Sequence, residues 1–157
     1  MNKPTSEPCI AADAPGRSTT NYPQPFAERV RGRFKRPLGD LFGISSFGVN
    51  LTTLEPGAQS SIKHRHSVQD EFVYVISGEL VLAYDEGETL LTAGMCVGFP
   101  HSSSAHHLLN RSDLPATYLE VGDRQPNDTA DYPDDDLIAV RSDGAWHFRH
   151  KDGTPYS

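Results

Sequence analysis

The sequence predicts an all-β domain, a small sandwich or barrel, and three observations carry that expectation. Short segments rich in β-branched and aromatic residues alternate with period two between Gly, Pro and Asp turns. No segment shows an amphipathic helix of more than two turns. Two histidine-bearing segments make chemical sense only on strands.

Residues 1–25 hold Pro4, Pro8, Pro15, Pro23 and Pro25 among small polar residues. Proline lacks the amide donor that a helix or an inner strand needs, so this stretch reads as an arm, extended or disordered. Residues 26–125 form the expected barrel domain. In it, Phe47, Val49 and Leu51 alternate with smaller or polar residues, and Glu55-Pro56-Gly57 ends that strand. The segment 71–77 carries Glu71, Val73, Val75 and Ser77 on one face and Phe72, Tyr74 and Ile76 on the other. Ser77-Gly78 turns into 79–84, Asp85-Glu86-Gly87 turns into 89–92, and Ala93-Gly94 leads to an apolar strand over 95–99 ended by Pro100. Strands over 106–110 and 117–121 complete the series. Residues 126–157 form a C-terminal tail: an acidic loop, Asp131 to Asp136, and a hairpin turning at Ser142-Asp143-Gly144. Trp146 and Phe148 share one face of it and are expected to dock on the barrel or its neighbour. The acids of that loop lack the ligand ladder of a calcium site and read as a solvated turn.

The strands 71–77 and 79–84 are apolar on both faces. A barrel interior takes one face, and the other needs a cover. A homodimer, helped by the tails, is the expected cover.

Acidic residues outnumber Lys and Arg by 21 to 14, a net charge of −7. This argues against nucleic acid or an anionic membrane as partner. Cys9 and Cys96 are the only cysteines, too few and too far apart for a disulfide framework, and Cys96 reads as a small buried residue. No apolar run has signal-peptide or membrane-spanning length. A soluble, cytoplasmic protein is expected.

The run His64-Arg65-His66, then Glu71, then Gly78 is the most informative feature. Residues two apart share a strand face, whereas on a helix they diverge by about 200°. A strand through Ile62, His64 and His66 therefore aims both rings one way. Residues 67–70 are short and polar enough to turn the chain, so Glu71 faces the two imidazoles. His106, Leu108 and Asn110 share a later strand face. Together these residues point to a metal site.

These two blocks resemble the cupin superfamily, specifically small single-domain bacterial cupins of type 2. Gly57, His64, His66, Glu71 and Gly78 match the first cupin motif with one extra residue after Gly57. Gly94, Pro100, His106 and Asn110 match the second in order. Two departures lie in its turn: Ser102 stands where the motif has glycine, and one extra residue precedes His106. His107 is the neighbouring alternative, and alternation with Asn110 favours His106. The motif core covers about residues 42–121. The resemblance implies a double-stranded β-helix, or jelly-roll, barrel with one divalent transition metal per chain, bound by His64, His66, Glu71 and His106. The tail is similar to that of a cupin subgroup to which we attach no activity.

Three imidazoles and one carboxylate suit iron, manganese, nickel, cobalt or zinc. Four protein ligands on a six-coordinate ion leave two positions for water, dioxygen or a chelating substrate. The expected function is therefore action on a small oxygenated molecule by dioxygenase- or isomerase-type chemistry. The alternative is a non-catalytic metal-containing binding or sensing module, and a weaker third reading is a metal that only staples the fold. His101, Tyr84 and Tyr118 are the candidate acid–base groups, each with a structural role as the simpler reading. Ser102, Ser103 and Ser104 lie near His106 but lack the strand–turn–helix setting of a nucleophilic serine.

Overall fold

The computed structural model describes residues 3–156. Twelve strands follow two alternation-rich halves of the chain: β1 (Arg33–Pro37), β2 (Phe47–Leu54), β3 (Arg65–His66), β4 (Glu71–Ser77), β5 (Glu79–Tyr84), β6 (Gly87–Thr92), β7 (Cys96–Phe99), β8 (His106–Leu109), β9 (Ala116–Asp123), β10 (Thr129–Tyr132), β11 (Leu137–Ser142) and β12 (Ala145–Arg149). The two α-helices, Phe26–Arg29 and Leu38–Leu41, are single turns. Among the described residues no helix is long and apolar enough to cross a membrane.

The strands make three sheets, ordered β1-β2-β9-β4-β7, β12-β11-β10-β3 and β6-β5-β8. All pairings are antiparallel. The inner faces of the first and third sheets meet on Leu54, Val73, Val75, Leu80, Leu82 and Leu108. Each such aliphatic side chain contributes about 1.5–3 kcal/mol on leaving water. A second cluster under the four-stranded sheet joins Phe26, Val30 and Ile62 to Ala130, Tyr132 and Leu137. The C-terminal segment is thus paired with the histidine segment: Ala130 of β10 stands opposite His66 and Asp131 opposite Arg65.

The alternation in β4 appears as expected. Val73 and Val75 are buried, while Phe72, Tyr74 and Ile76 are 41%, 42% and 47% exposed. The hairpin at 142–145 also forms, with Ser142 opposite Ala145 and with Asp143 and Gly144 both at positive φ. Two expectations need correction. Cys96 is exposed, because it stands opposite Tyr74 on the outer face of β4. The histidine segment is not one continuous strand. His64 makes an isolated bridge to His106, and only Arg65–His66 joins a sheet, that of β10. The chain changes sheets between the two histidines.

Gly78 shows why the first motif ends on glycine. Its φ is +75°, and a Cβ there would lie 2.9 Å from the Cα and Cβ of Ala116 and from the carbonyl oxygen of Pro115. Gly94 has φ +90° with open space around it. Gly78→Ala is therefore expected to cost about 2–4 kcal/mol, the left-handed penalty plus overpacking, and Gly94→Ala only about 1–2 kcal/mol. Urea denaturation midpoints of the two variants check this, and equal losses would contradict it.

Candidate metal centre

Three elements deliver the site. Glu71 opens β4 on its inward face, where it stands opposite Gly122 of β9 and Phe99 of β7. His106 opens β8, and its bridge to His64 brings the two histidine segments together. His66 arrives on β3. The ligand atoms of His64, His66 and Glu71 lie within 4.8 Å of one another, so this group could hold a metal ion. His64 Nε2 is 3.6 Å from Glu71 Oε2, and His66 Nε2 is 3.4 Å from Oε1. His106 joins through Glu71, with Nε2 2.8 Å from Oε2. Phe99 stacks flat on the His106 ring at 3.5 Å between centroids, which fixes its plane.

The far nitrogen of every ring has an acceptor. His64 Nδ1 faces the Ile62 carbonyl at 2.9 Å, His106 Nδ1 the Ser104 carbonyl at 3.2 Å, and His66 Nδ1 the Asp128 carboxylate at 2.6 Å. A carbonyl or carboxylate can only accept, so each Nδ1 carries the hydrogen, a tautomer assigned from its partner. Each Nε2 points at the Glu71 carboxylate, where it donates a hydrogen or, once that proton is gone, turns a lone pair inward. Three such lone pairs and one carboxylate repel unless a cation, either protons or a metal, lies among them. The donor set therefore fits a first-row divalent ion.

Burial is the largest influence on Glu71 and opposes its charge. The hydrogen bond from His106 at 2.8 Å, with the His64 and His66 imidazoles close by, outweighs that and holds its carboxyl well below the ordinary range. Burial likewise opposes charge on His66, but Asp128 on one nitrogen and Glu71 on the other push it up to about 10. The ordinary values are 4.5 and 6.5. In metal-free protein the stability His66 contributes is complete below pH 6.5 and is lost as pH rises toward about 10. The Glu71 contribution is present above pH 4.5 and is lost as pH falls through its depressed value. Thermal melts in chelator should show stability declining from pH 6.5 to 10. A bound metal replaces the Nε2 proton, so the loaded protein should decline less. Apo stability that rises with pH across this range would contradict the assignment.

Asp128 escapes sequence reasoning. It is fully buried and lies 62 residues from His66. Besides His66 it accepts from the amides of Val68 (2.8 Å) and Gln69 (3.4 Å) and from the Ser67 hydroxyl (3.2 Å). A carboxylate behind a metal-facing histidine fixes the ring and raises its basicity. The only sequence signal is a lone acid before a strand.

The other candidates separate. His107 points from the opposite face of β8 and bonds the Ser61 carbonyl at 3.0 Å. Tyr84 pairs with Thr89, and His101 is exposed beside Asp70. Tyr118 is fully buried and lines the cavity above the cluster, with no hydrogen-bond partner for its hydroxyl among the described residues. Ser102, at the motif's glycine position, has φ +58°, so a non-glycine residue holds the left-handed turn there. Its amide donates to the His66 carbonyl at 2.7 Å.

The cavity holds about 330 Å³. Its wall carries Arg17, Arg33, Lys35, Arg124 and Arg141, against the acids Glu71, Glu120 and Asp123. Arg17 through Tyr22 of the arm close one side, where Arg17 bridges Lys35 of β1 and Tyr22 packs on Tyr132 and Phe148.

The family model of the cupin domain matches residues 50–122. A crystal structure of a sugar phosphate isomerase from a cupin superfamily, from Silicibacter pomeroyi, is similar at 41% identity. The match covers 96% of this chain and 97% of that one, with a TM-score of 0.90. A candidate sugar phosphate isomerase from Acidithiobacillus ferrooxidans is 32% identical, with 76% and 77% of the two chains covered and a TM-score of 0.72. A polyketide cyclase from Streptomyces resistomycificus, 16% identical over 77% of this chain and 81% of its own, shares the fold with a TM-score of 0.65. No protein of curated function matches. Matched in its two histidine blocks, and along nearly its whole length to a cupin of known structure, the chain belongs to the cupin superfamily.

Proposed function

We propose that the protein is a metal-dependent isomerase of a phosphorylated sugar, with one divalent transition ion held by His64, His66, Glu71 and His106. The observation that carries this reading is one cavity shared by the histidine–carboxylate cluster and five cationic side chains, in a chain of net charge −7. Cations concentrated against the overall charge suit an anionic small molecule, and planar guanidinium groups suit phosphate. The names of two of the similar structures support the same substrate class. When bound, the ion supplies Lewis-acid polarisation of substrate oxygens at one end of the cavity. Arg33, held by the Ser60 carbonyl at 2.7 Å, and Arg17 then bind and orient the phosphate, while Tyr22 and the arm exclude water.

The exposed face of Phe72, Tyr74 and Ile76 supports a homodimer, with a second copy as cover. The free, exposed thiols of Cys9 and Cys96 suit a reducing, cytoplasmic setting.

A panel of aldose and ketose phosphates followed by proton NMR tests the function. Interconversion of one pair, abolished by chelator and restored by metal, is expected, with no oxygen consumed. Folded, metal-loaded protein that converts none of them would overturn the isomerase reading. Tight binding without turnover would then leave the binding module, and oxygen uptake would leave the dioxygenase.

A further inference from the structure

We propose that Glu120 is the catalytic base that carries a substrate proton between neighbouring carbons, an inference that rests on the isomerase reading. An aldose–ketose interconversion needs a carboxylate or similar base on the cavity wall with a lone pair free of other work. Three carboxylates line the cavity. Both oxygens of Glu71 face histidine nitrogens, Oε2 at 2.8 and 3.6 Å and Oε1 at 3.4 Å. Asp123 ends β9 on the other strand face, where its Oδ1 accepts from the Asp70 amide at 2.9 Å.

Glu120 differs from both. On β9 it alternates inward with Ala116, Tyr118 and Gly122, and it stands opposite Val73, two residues along β4 from Glu71. Register thus places it one inward rung from the metal cluster, on the neighbouring strand. Lys35 Nζ (3.1 Å) and Asn50 Nδ2 (3.3 Å) both donate to its Oε1. Among the described residues Oε2 has no partner. The side chain is 25% exposed and Lys35 21%. One oxygen is therefore anchored by a cation and an amide, and the other is left to the cavity.

For an open-chain aldose phosphate, Glu120 takes the proton from C2. The C–H pair forms the C1–C2 double bond, and the carbonyl pair of C1 moves onto O1. O1 receives the proton that O2 gives up as the C2 carbonyl forms. The enediol pair then returns to C1, which takes the proton from Glu120. C2 is oxidised and C1 reduced by the same electron pair, so no outside oxidant or reductant enters.

The test compares metal-loaded wild type with Glu120→Gln in deuterium oxide, on the sugar phosphate that wild type converts. Wild type should place deuterium at C1 of the product. Glu120→Gln should lose about 100-fold or more in kcat and lose deuterium incorporation equally. Its metal content and its protection by inorganic phosphate should stay unchanged. A variant within about threefold of wild type, or one that loses its metal, overturns the role of Glu120 and leaves the isomerase reading standing. Wild type that is inert toward every sugar phosphate overturns both. Should glutamine at 120 prevent folding, Glu120→Asp keeps the charge beside Lys35 but withdraws the oxygen by about one bond. At least a tenfold loss in kcat with KM little changed is expected there, and an unchanged kcat overturns the proposal.

Discussion

Replacing His66 by alanine is expected to lower metal affinity by more than about 100-fold and to cost about 3 kcal/mol of stability in metal-free protein. The two losses have different origins. The affinity falls because His66 Nε2 faces Glu71 Oε1 at 3.4 Å, and without it the cluster loses one of its nitrogen donors. The stability falls because Asp128, fully buried, is left with no cation. Its hydrogen bond to His66 Nδ1 is 2.6 Å long, and only amides and one hydroxyl remain to it. Removing one member of a buried pair exposes the full desolvation cost of the other. Competition with a chromophoric chelator gives the first quantity and urea denaturation the second. A variant that binds metal as tightly as wild type would refute the ligand assignment.

Asp128→Asn is expected to weaken metal binding by about 10–100-fold while leaving the turn at 67–70 largely intact. Asparagine keeps an acceptor oxygen for the amides of Val68 and Gln69. It either places an amide donor against His66 Nδ1 or, flipped, gives up both of those amide bonds, which end on the same oxygen, and it always removes the negative charge. The ring then loses the partner that holds its hydrogen on Nδ1 and raises its basicity. Nitrogen-15 chemical shifts of His66 separate this from simple unfolding: wild type should show a protonated Nδ1, and the variant a changed tautomer or a lowered pKa. Unchanged affinity with a lower melting temperature would make Asp128 a purely structural anchor.

Much of the barrel and its site is legible in the sequence because period-two alternation is local. Val73 and Val75 turn inward and Phe72 and Tyr74 outward from their order alone. The spacing from His66 to Glu71 is a short turn, so their meeting is also a local fact. His106 follows from alternation with Leu108 and Asn110, which are buried on the same face. What escapes is set by register between distant segments. Asp128 reaches His66 because β10 pairs with β3, a pairing of two residues that no local pattern announces. Glu120 could have been read as inward from Tyr118, since both alternate on β9. Its bonds to Lys35 and Asn50 depend on the order β1-β2-β9, which no spacing in the sequence states. The change of sheet between His64 and His66 is hidden for the same reason, as each residue obeys a different partner strand.

The metal content of protein purified without chelators or nickel resin tests the account most directly. Elemental analysis should find close to one divalent transition ion per chain in wild type and almost none in His66→Ala. A folded wild type without transition metal, which also fails to take one up when it is supplied, would contradict the account.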